Sequence, residues 1–404
     1  MISKLKDLGP GLLFAGAAIG VSHLVQSTRA GADFGLGLLW ALLLVNLFKY
    51  PFFQFGPRYA TATGESLLEG YKKLGKGVLV TYYILTIATM FTIQTAVTIV
   101  TAGLASSLFV GFFSIETWTV LILIFCLAIL IIGKYSLLDK LMKVIIIVLT
   151  LSTIGAVSMS LLNHHETITF SQILPDNKLG IAFLIAFMGW MPAPLDISVW
   201  QSLWSIEKNK NTNTYTPKSA LFDFNVGYIG TIILGIGFLL LGALVMFHTG
   251  EHFSNSATVF SGQLIKMYTA SIGSWASIII GIAAFTTMFS TTLTTLDASP
   301  RAMSKATELL FQSEKKLNYT FWIVLLTIGC IGIFFFLASE MGLLVQIATI
   351  LSFITAPFYA IINYKLIASK HTPKHWRPSR KMHVLSILGI VFLVGFSVYY
   401  LLTL

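Results

Sequence analysis

Apolar residues recur along this chain in uninterrupted runs of about twenty positions, and short polar segments, most of them lysine-rich, separate the runs. A helix needs about 20 apolar residues to cross the hydrocarbon core of a bilayer. By that measure eleven spans are predicted: 9–33, 36–61, 77–107, 115–133, 138–162, 179–205, 218–247, 272–302, 319–338, 342–367 and 383–403. Two of these runs are interrupted midway. The first breaks at Gly20-Val21-Ser22-His23, and the sixth breaks about 170 residues later at Trp190-Met191-Pro192-Ala193-Pro194. A broken helix leaves N–H and C=O groups unpaired in hydrocarbon, which is tolerated only where they line a protein-enclosed site. Matching breaks in two halves of a chain point to the substrate site of a secondary transporter.

Five spans precede the second break, and spans six to ten repeat the pattern. An odd number of spans per repeat inverts the second copy. The expected fold is therefore all-α and polytopic, a LeuT-type five-plus-five inverted repeat within one domain, 1–404. Repeat one covers about 9–162, repeat two about 179–367, and an eleventh helix occupies 383–403.

Composition agrees with this class, since 56% of the 404 residues are hydrophobic and only 10% are charged. The formal net charge of +10 raises nucleic acid as a partner, but the placement of the basic residues argues against it. Of 26 lysines and arginines, 22 fall in one alternating set of loops and span ends, two (Lys178, Lys266) on the other side, and two (Arg29, Lys49) within spans. That asymmetry follows the positive-inside rule. It predicts a cytoplasmic N-terminus, an external C-terminus and a plasma membrane, bacterial by the compact loops and the lack of a cleavable signal. The expected partners are the lipid bilayer and a small ion, with no obligate protein partner. Cys126 and Cys330 read as small buried hydrophobes. His164, His165 and Glu166 read as a solvated loop face. No nucleophile–base pair or phosphate loop is present, so the chain is not expected to be an enzyme, nor to need a cofactor beyond a coupling Na⁺.

The run Gly9-Pro10-Gly11-Leu12-Leu13, the segment Ala30-Gly31-Ala32-Asp33-Phe34-Gly35 and the segment Ala62-Thr63-Gly64-Glu65-Ser66-Leu67 resemble the start of Nramp divalent-metal transporters. Met191-Pro192 is similar to the first two residues of that family's Met-Pro-His motif. Ser290-Thr291-Thr292-Leu293-Thr294 is similar to its hydroxyl-rich eighth span, and Gln346 with Leu351-Ser352-Phe353 and Pro357 to its tenth. The resemblance implies a LeuT-type fold and secondary transport. It departs at the metal ligands. Where the family has Asp-Pro-Gly-Asn this chain has Gly20-Val21-Ser22-His23, and the motif histidine is Ala193.

A hard divalent ion is held by charged oxygen ligands that offset its dehydration. With those removed, the two helix starts predicted at the breaks, near Ser22 and Pro194, keep free N–H groups and positive dipole ends. Such ends hold a substrate's negative group. A small anion is therefore expected, bicarbonate first, imported by alternating access and coupled to Na⁺ or H⁺. The candidate substrate residues are Gly20, Val21, Ser22, His23, Trp190, Met191, Pro192 and Ala193. Arg29 and Lys49 are candidates for positive potential, with Asp196 and Gln94 as further contacts. Arg29 is open to pairing with Asp33, and Asp196 to neutralising Arg29 or Lys49. A coupling cation would use Ala17 and Gly20 with Ser290, Thr291 and Thr294. No resident metal is expected; the alternative substrate is a softer transition-metal ion held by His23 and Met191.

Overall fold

The computed structural model describes residues 8–132, 135–163, 169–212, 215–247, 249, 251–311, 318–337 and 341–403. His164, His165, Glu166 and His248 lie outside the described residues. All eleven predicted spans are helical where described. The first is α1 (Pro10–Ala18), a π-helical run Ser22–Ser27, and α2 (Thr28–Phe34). The second to fifth are α3 (Leu39–Thr63), α5 (Lys76–Leu108), α6 (Ile115–Ile132) and α7 (Tyr135–Asn163), with a short helix α4 (Leu67–Leu74) before α5. The sixth consists of α8 (Lys178–Trp190) and α9 (Ile197–Thr212). The seventh is α10 (Pro217–Val245), followed by α11 (Ala257–Ile272). The rest are α12 (Ser277–Phe311), α13 (Tyr319–Leu337), α14 (Met341–Ala368) and α15 (Arg380–Thr403).

Two of these helices lie where a loop was expected or none was predicted. Helix α11 falls in the segment assigned to a loop; at 16 residues it is too short and too polar to cross a membrane. Helix α4 starts with a reciprocal capping box. The Ser66 hydroxyl accepts from the Glu69 amide, and the Glu69 carboxylate accepts from the Ser66 amide at 2.7 Å.

Both breaks are present. The two halves of the first span bend by 46° across residues 19–21. They stay in place because small residues let the seventh span come close to each. A methyl group on Gly11 would overlap the Asp223 carbonyl, and one on Gly31 would overlap the Leu239 carbonyl. Close approach through glycine is the usual device where lipid supplies no hydrophobic drive between helices. Asp223 adds a polar clamp. Its Oδ1 accepts from the Gly9 amide at 3.0 Å, and its Oδ2 from the Gly11 amide at 2.8 Å and the Tyr215 hydroxyl at 2.7 Å. A carboxylate on the first amides of α1 also complements that helix's dipole. Edge-on contacts of Phe14 with Phe53 at 5.2 Å and Phe224 at 5.5 Å complete the seat.

Gly11→Val is thus expected to prevent α1 from seating. The variant would give little monodisperse protein in size-exclusion chromatography, whereas Gly155→Val, with open space around it, would behave as wild type.

The ends of the bundle are chemically distinct. Glu69, Lys208, Lys210, Arg301 and Lys305 gather around one opening, with Lys305 paired to Glu69 at 3.4 Å. Asp297 near that opening pairs locally with Arg301, four residues on, at 2.7 Å. The opposite end carries Asp33, Asn177 and His252.

Candidate functional site

At the first break the chain turns at Ile19 and Gly20, and the next half begins directly as a π-helical run. Ser22 does not cap a helix start as expected. Its hydroxyl instead turns back to the Ala18 carbonyl at 2.7 Å and reaches the Pro192 carbonyl of the other break at 3.3 Å. The wider turn is stabilised by i+5 side-chain bonds, Ser27 Oγ to the Ser22 carbonyl and Thr28 Oγ1 to the His23 carbonyl. His23 is wholly buried and fixed at both ring nitrogens. Nε2 lies 2.9 Å from the Thr231 carbonyl oxygen, and Nδ1 2.7 Å from Ser22 Oγ and 3.1 Å from the Ala18 carbonyl. Two acceptors do not approach to 2.9 Å, so Nε2 carries a proton and donates to Thr231. His23 therefore ties the first break to the seventh span.

At the sixth break Lys49 reorganises the site. Its ammonium, fully buried on the second span, donates to the carbonyls of Met188 and Gly189 at 2.7 Å, Met191 at 3.1 Å and Ala193 at 3.3 Å. Met188 and Gly189 belong to the last turn of α8, whose carbonyls the helix leaves unpaired, and Met191 and Ala193 to the break that follows. A tethered cation sits in the cluster of main-chain oxygens and neutralises the negative end of the helix dipole. The other half begins later than expected, at Ile197. Pro194 sits in the preceding turn, its carbonyl accepting from the Ile197 amide at 3.3 Å, and Asp196 immediately precedes the helix. The Asp196 carboxyl is buried beside that helix start with Oδ1 free of any hydrogen bond, and Lys49 lies within its electrostatic range. Lys49 and Asp196 thus occupy the carbonyl and amide ends of the same break.

Between the breaks is a small cavity, about 20 Å³, room for about one water molecule. Val21, Ser22, Trp190, Ala193, Trp200 and Thr291 are among its lining residues. Of the indole donors here, Trp190 Nε1 bonds to Ser352 Oγ at 2.8 Å, while Trp200 Nε1 is buried and has no partner. Trp200 also meets Trp204 at 6.4 Å between ring centroids, and Trp204 lines a vestibule of about 820 Å³ open at the basic end. The paired indoles thus reach from the cavity, which Trp200 lines, to the vestibule, which Trp204 lines.

Several candidate residues lie elsewhere. Arg29, expected to lend its charge to the site, donates instead to the carbonyls of Phe253 and Ser254 and to Asn255 Oδ1, 2.7–3.2 Å away, at the other end of the bundle. Asp33 faces His252 at 2.9 Å. Gln94 is consumed by the eighth span: it donates to the Thr292 carbonyl at 3.1 Å and accepts from Thr295 Oγ1 at 2.6 Å. Met191 turns its sulfur toward Gly235 of the seventh span and does not line the cavity. The Pro192 contribution is its carbonyl, bound to Ser22. Asp196 does not line the cavity.

The candidate coupling-cation residues are partly assembled. Thr291 Oγ1 lies 3.2 Å from the Gly16 carbonyl and 3.4 Å from that of Ile19, and its methyl stands against Gly20. Ala17 lines the cavity beside it, and Ser290 Oγ and Thr294 are buried on the same helix. A tryptophan beside a break reads from sequence as bulk or gate, because nothing in the sequence reveals whether the Trp200 N–H finds a partner.

Comparison with known proteins agrees with this architecture. A family profile described as natural resistance-associated macrophage protein-like matches residues 11–403. An uncharacterized protein of Pasteurella multocida is 35% identical over 99% of this chain and 92% of its own length. Among solved structures, a manganese transporter of Eremococcus coleocola superposes with a TM-score of 0.75 at 14% identity, covering 98% of this chain and 85% of the other. MhsT in complex with L-phenylalanine superposes with a TM-score of 0.65 at 15% identity, covering 97% and 98%. Identities this low establish the fold, and the matching profile establishes the family: the chain belongs to the Nramp family and is a secondary active transporter with a LeuT-type fold.

Proposed function

We propose that this transporter imports a small monovalent anion, bicarbonate first, by alternating access between the broken first and sixth spans. The observation that carries the reading is the Lys49 ammonium seated among four main-chain carbonyls of the sixth break. Those oxygens are what a LeuT-type break offers to a cation, and here the protein supplies the cation itself. A second positive ion brought beside it would be repelled in a medium of low dielectric. An anion would instead be attracted, and the unpartnered Trp200 N–H supplies a donor where the cavity lies. The cavity is smaller than bicarbonate, so binding requires movement of the Trp200–Trp204 pair, as alternating access demands.

Against the metal alternative stands the engagement of both of its candidate ligands, which meet beside Gly235. Nε2 of His23 is committed to Thr231 and Met191 packs on the seventh span. Among the described residues no group of three or more His, Cys, Asp or Glu could hold a metal. The manganese transporter of Eremococcus coleocola shares the fold at 14% identity, which leaves the substrate to be decided by the site.

Proteoliposomes containing the full chain should accumulate labelled bicarbonate under an inward Na⁺ or H⁺ gradient, with saturation and without competition from Mn²⁺. Accumulation of labelled Mn²⁺ that bicarbonate does not affect would overturn the proposal.

A further inference from the structure

Beside the sixth break lies a second group of buried polar atoms that lines neither the cavity nor the vestibule. Asp196 Oδ1 is buried and has no hydrogen-bond partner. Tyr71 of α4, Tyr82 of the third span and Tyr359 of the tenth share one packed core with Leu195 and Ile197 on either side of Asp196, and Lys49 of the second span lies within electrostatic range of the carboxylate. The Tyr82 and Tyr359 rings meet edge to face at 6.1 Å, and Tyr71 stands 5.9 Å from Tyr82. The hydroxyls of Tyr82 and Tyr359 are buried beside that of Thr86, with none of the three in a well-formed hydrogen bond, whereas that of Tyr71 donates to Asn363 Oδ1 at 2.5 Å. Buried polar groups are normally paired, because each unpaired one is costly. A carboxyl inside a membrane, backed by a row of such hydroxyls, marks a site that handles an ion or a proton.

The charges at the break say which. Lys49 fixes one positive charge at the carbonyl end, and Asp196 places a buried carboxyl beside the start of α9. With Asp196 ionised the break is balanced, and an arriving anion meets a carboxylate. Protonation removes the competing charge and leaves that of Lys49 uncompensated. Anion and proton then favour each other's binding, and the coupling is reciprocal. A Na⁺ at the eighth span would first have to displace the bonds that Thr291 makes to Gly16 and Ile19.

Resting on the anion reading above, we propose that Asp196 is the coupling-proton site. A proton from external water forms an O–H bond at Asp196 Oδ1 as the anion binds at the break. After the transition that O–H bond breaks, the proton passes along Tyr359, Thr86 and Tyr82 to water at the basic, cytoplasmic end, and the anion leaves with it, so that no net charge crosses.

The test is uptake of labelled bicarbonate into proteoliposomes without Na⁺, at fixed bicarbonate concentration, varying external pH and a K⁺/valinomycin potential separately. Wild-type uptake should rise as external pH falls and should not respond to potential. D196N, neutral at every pH, should lose the pH dependence and become potential-driven, with accumulation changing about tenfold for about 60 mV. Y82F should slow the wild type several-fold but leave the D196N background unaffected, because the relay then has no terminus. Should D196N be inactive, calorimetry in buffers of different ionisation enthalpy decides: wild type takes up one proton per bicarbonate bound. Zero protons per anion, a strict Na⁺ requirement, or D196N with wild-type pH dependence overturns the proposal and leaves anion transport standing. A wild type that takes up no bicarbonate overturns both.

Discussion

Lys49→Met eliminates nearly all transport and destabilises the protein. The ammonium satisfies four buried carbonyls at 2.7–3.3 Å, and methionine matches its length without offering a donor. Hydrogen bonds from a charged group contribute about 1.5–3 kcal/mol each, and removing one partner of a buried charged cluster typically costs about 3–5 kcal/mol. The loss also leaves Asp196 as an unbalanced negative charge beside the break, which opposes an anion directly. Arginine at position 49 should not restore function, because a planar guanidinium fork does not match oxygens that converge on one point. Thermal unfolding in detergent and bicarbonate uptake in liposomes check both halves of the expectation. A Lys49→Met protein with normal uptake would make the lysine dispensable and remove the main support for an anion site.

Trp200→Phe should raise the KM for bicarbonate by about tenfold to a hundredfold, the loss of one hydrogen bond to a charged group at about 1.5–3 kcal/mol. Phenylalanine keeps most of the ring packed against Trp204 but removes Nε1–H. That donor has no partner within the protein, so its removal should leave thermal stability unchanged or slightly higher. A purely structural tryptophan would give the opposite pattern, lower stability with KM unaffected.

These two residues also mark where reading the sequence stopped. The spans were legible because about twenty apolar residues in a row have few other uses, and the breaks because Gly20 and the Pro192–Pro194 pair fall at matching places in two halves. Proline alone does not mark a break, since Pro51, Pro57, Pro300 and Pro357 sit inside continuous helices. Ser22 misled, since a serine at a helix start normally caps it, whereas here the chain enters a π-helical run and the hydroxyl turns backward. Arg29 and Lys49 looked equivalent as buried cations; which carbonyls each one meets depends on packing more than 100 residues away in sequence. Trp200 and the Asp196 group were hidden for the same reason, because an unpartnered N–H or hydroxyl is a property of the assembled interior.

The central claim is that the Lys49 ammonium takes the place of a cation at the break and leaves an anion to bind. Calorimetric titration of the purified protein with bicarbonate and, separately, with Mn²⁺ tests it most directly. Saturable bicarbonate binding that Trp200→Phe weakens, with no heat from Mn²⁺, is the predicted result. Stoichiometric Mn²⁺ binding to the wild type, abolished by Met191→Ala, would contradict it.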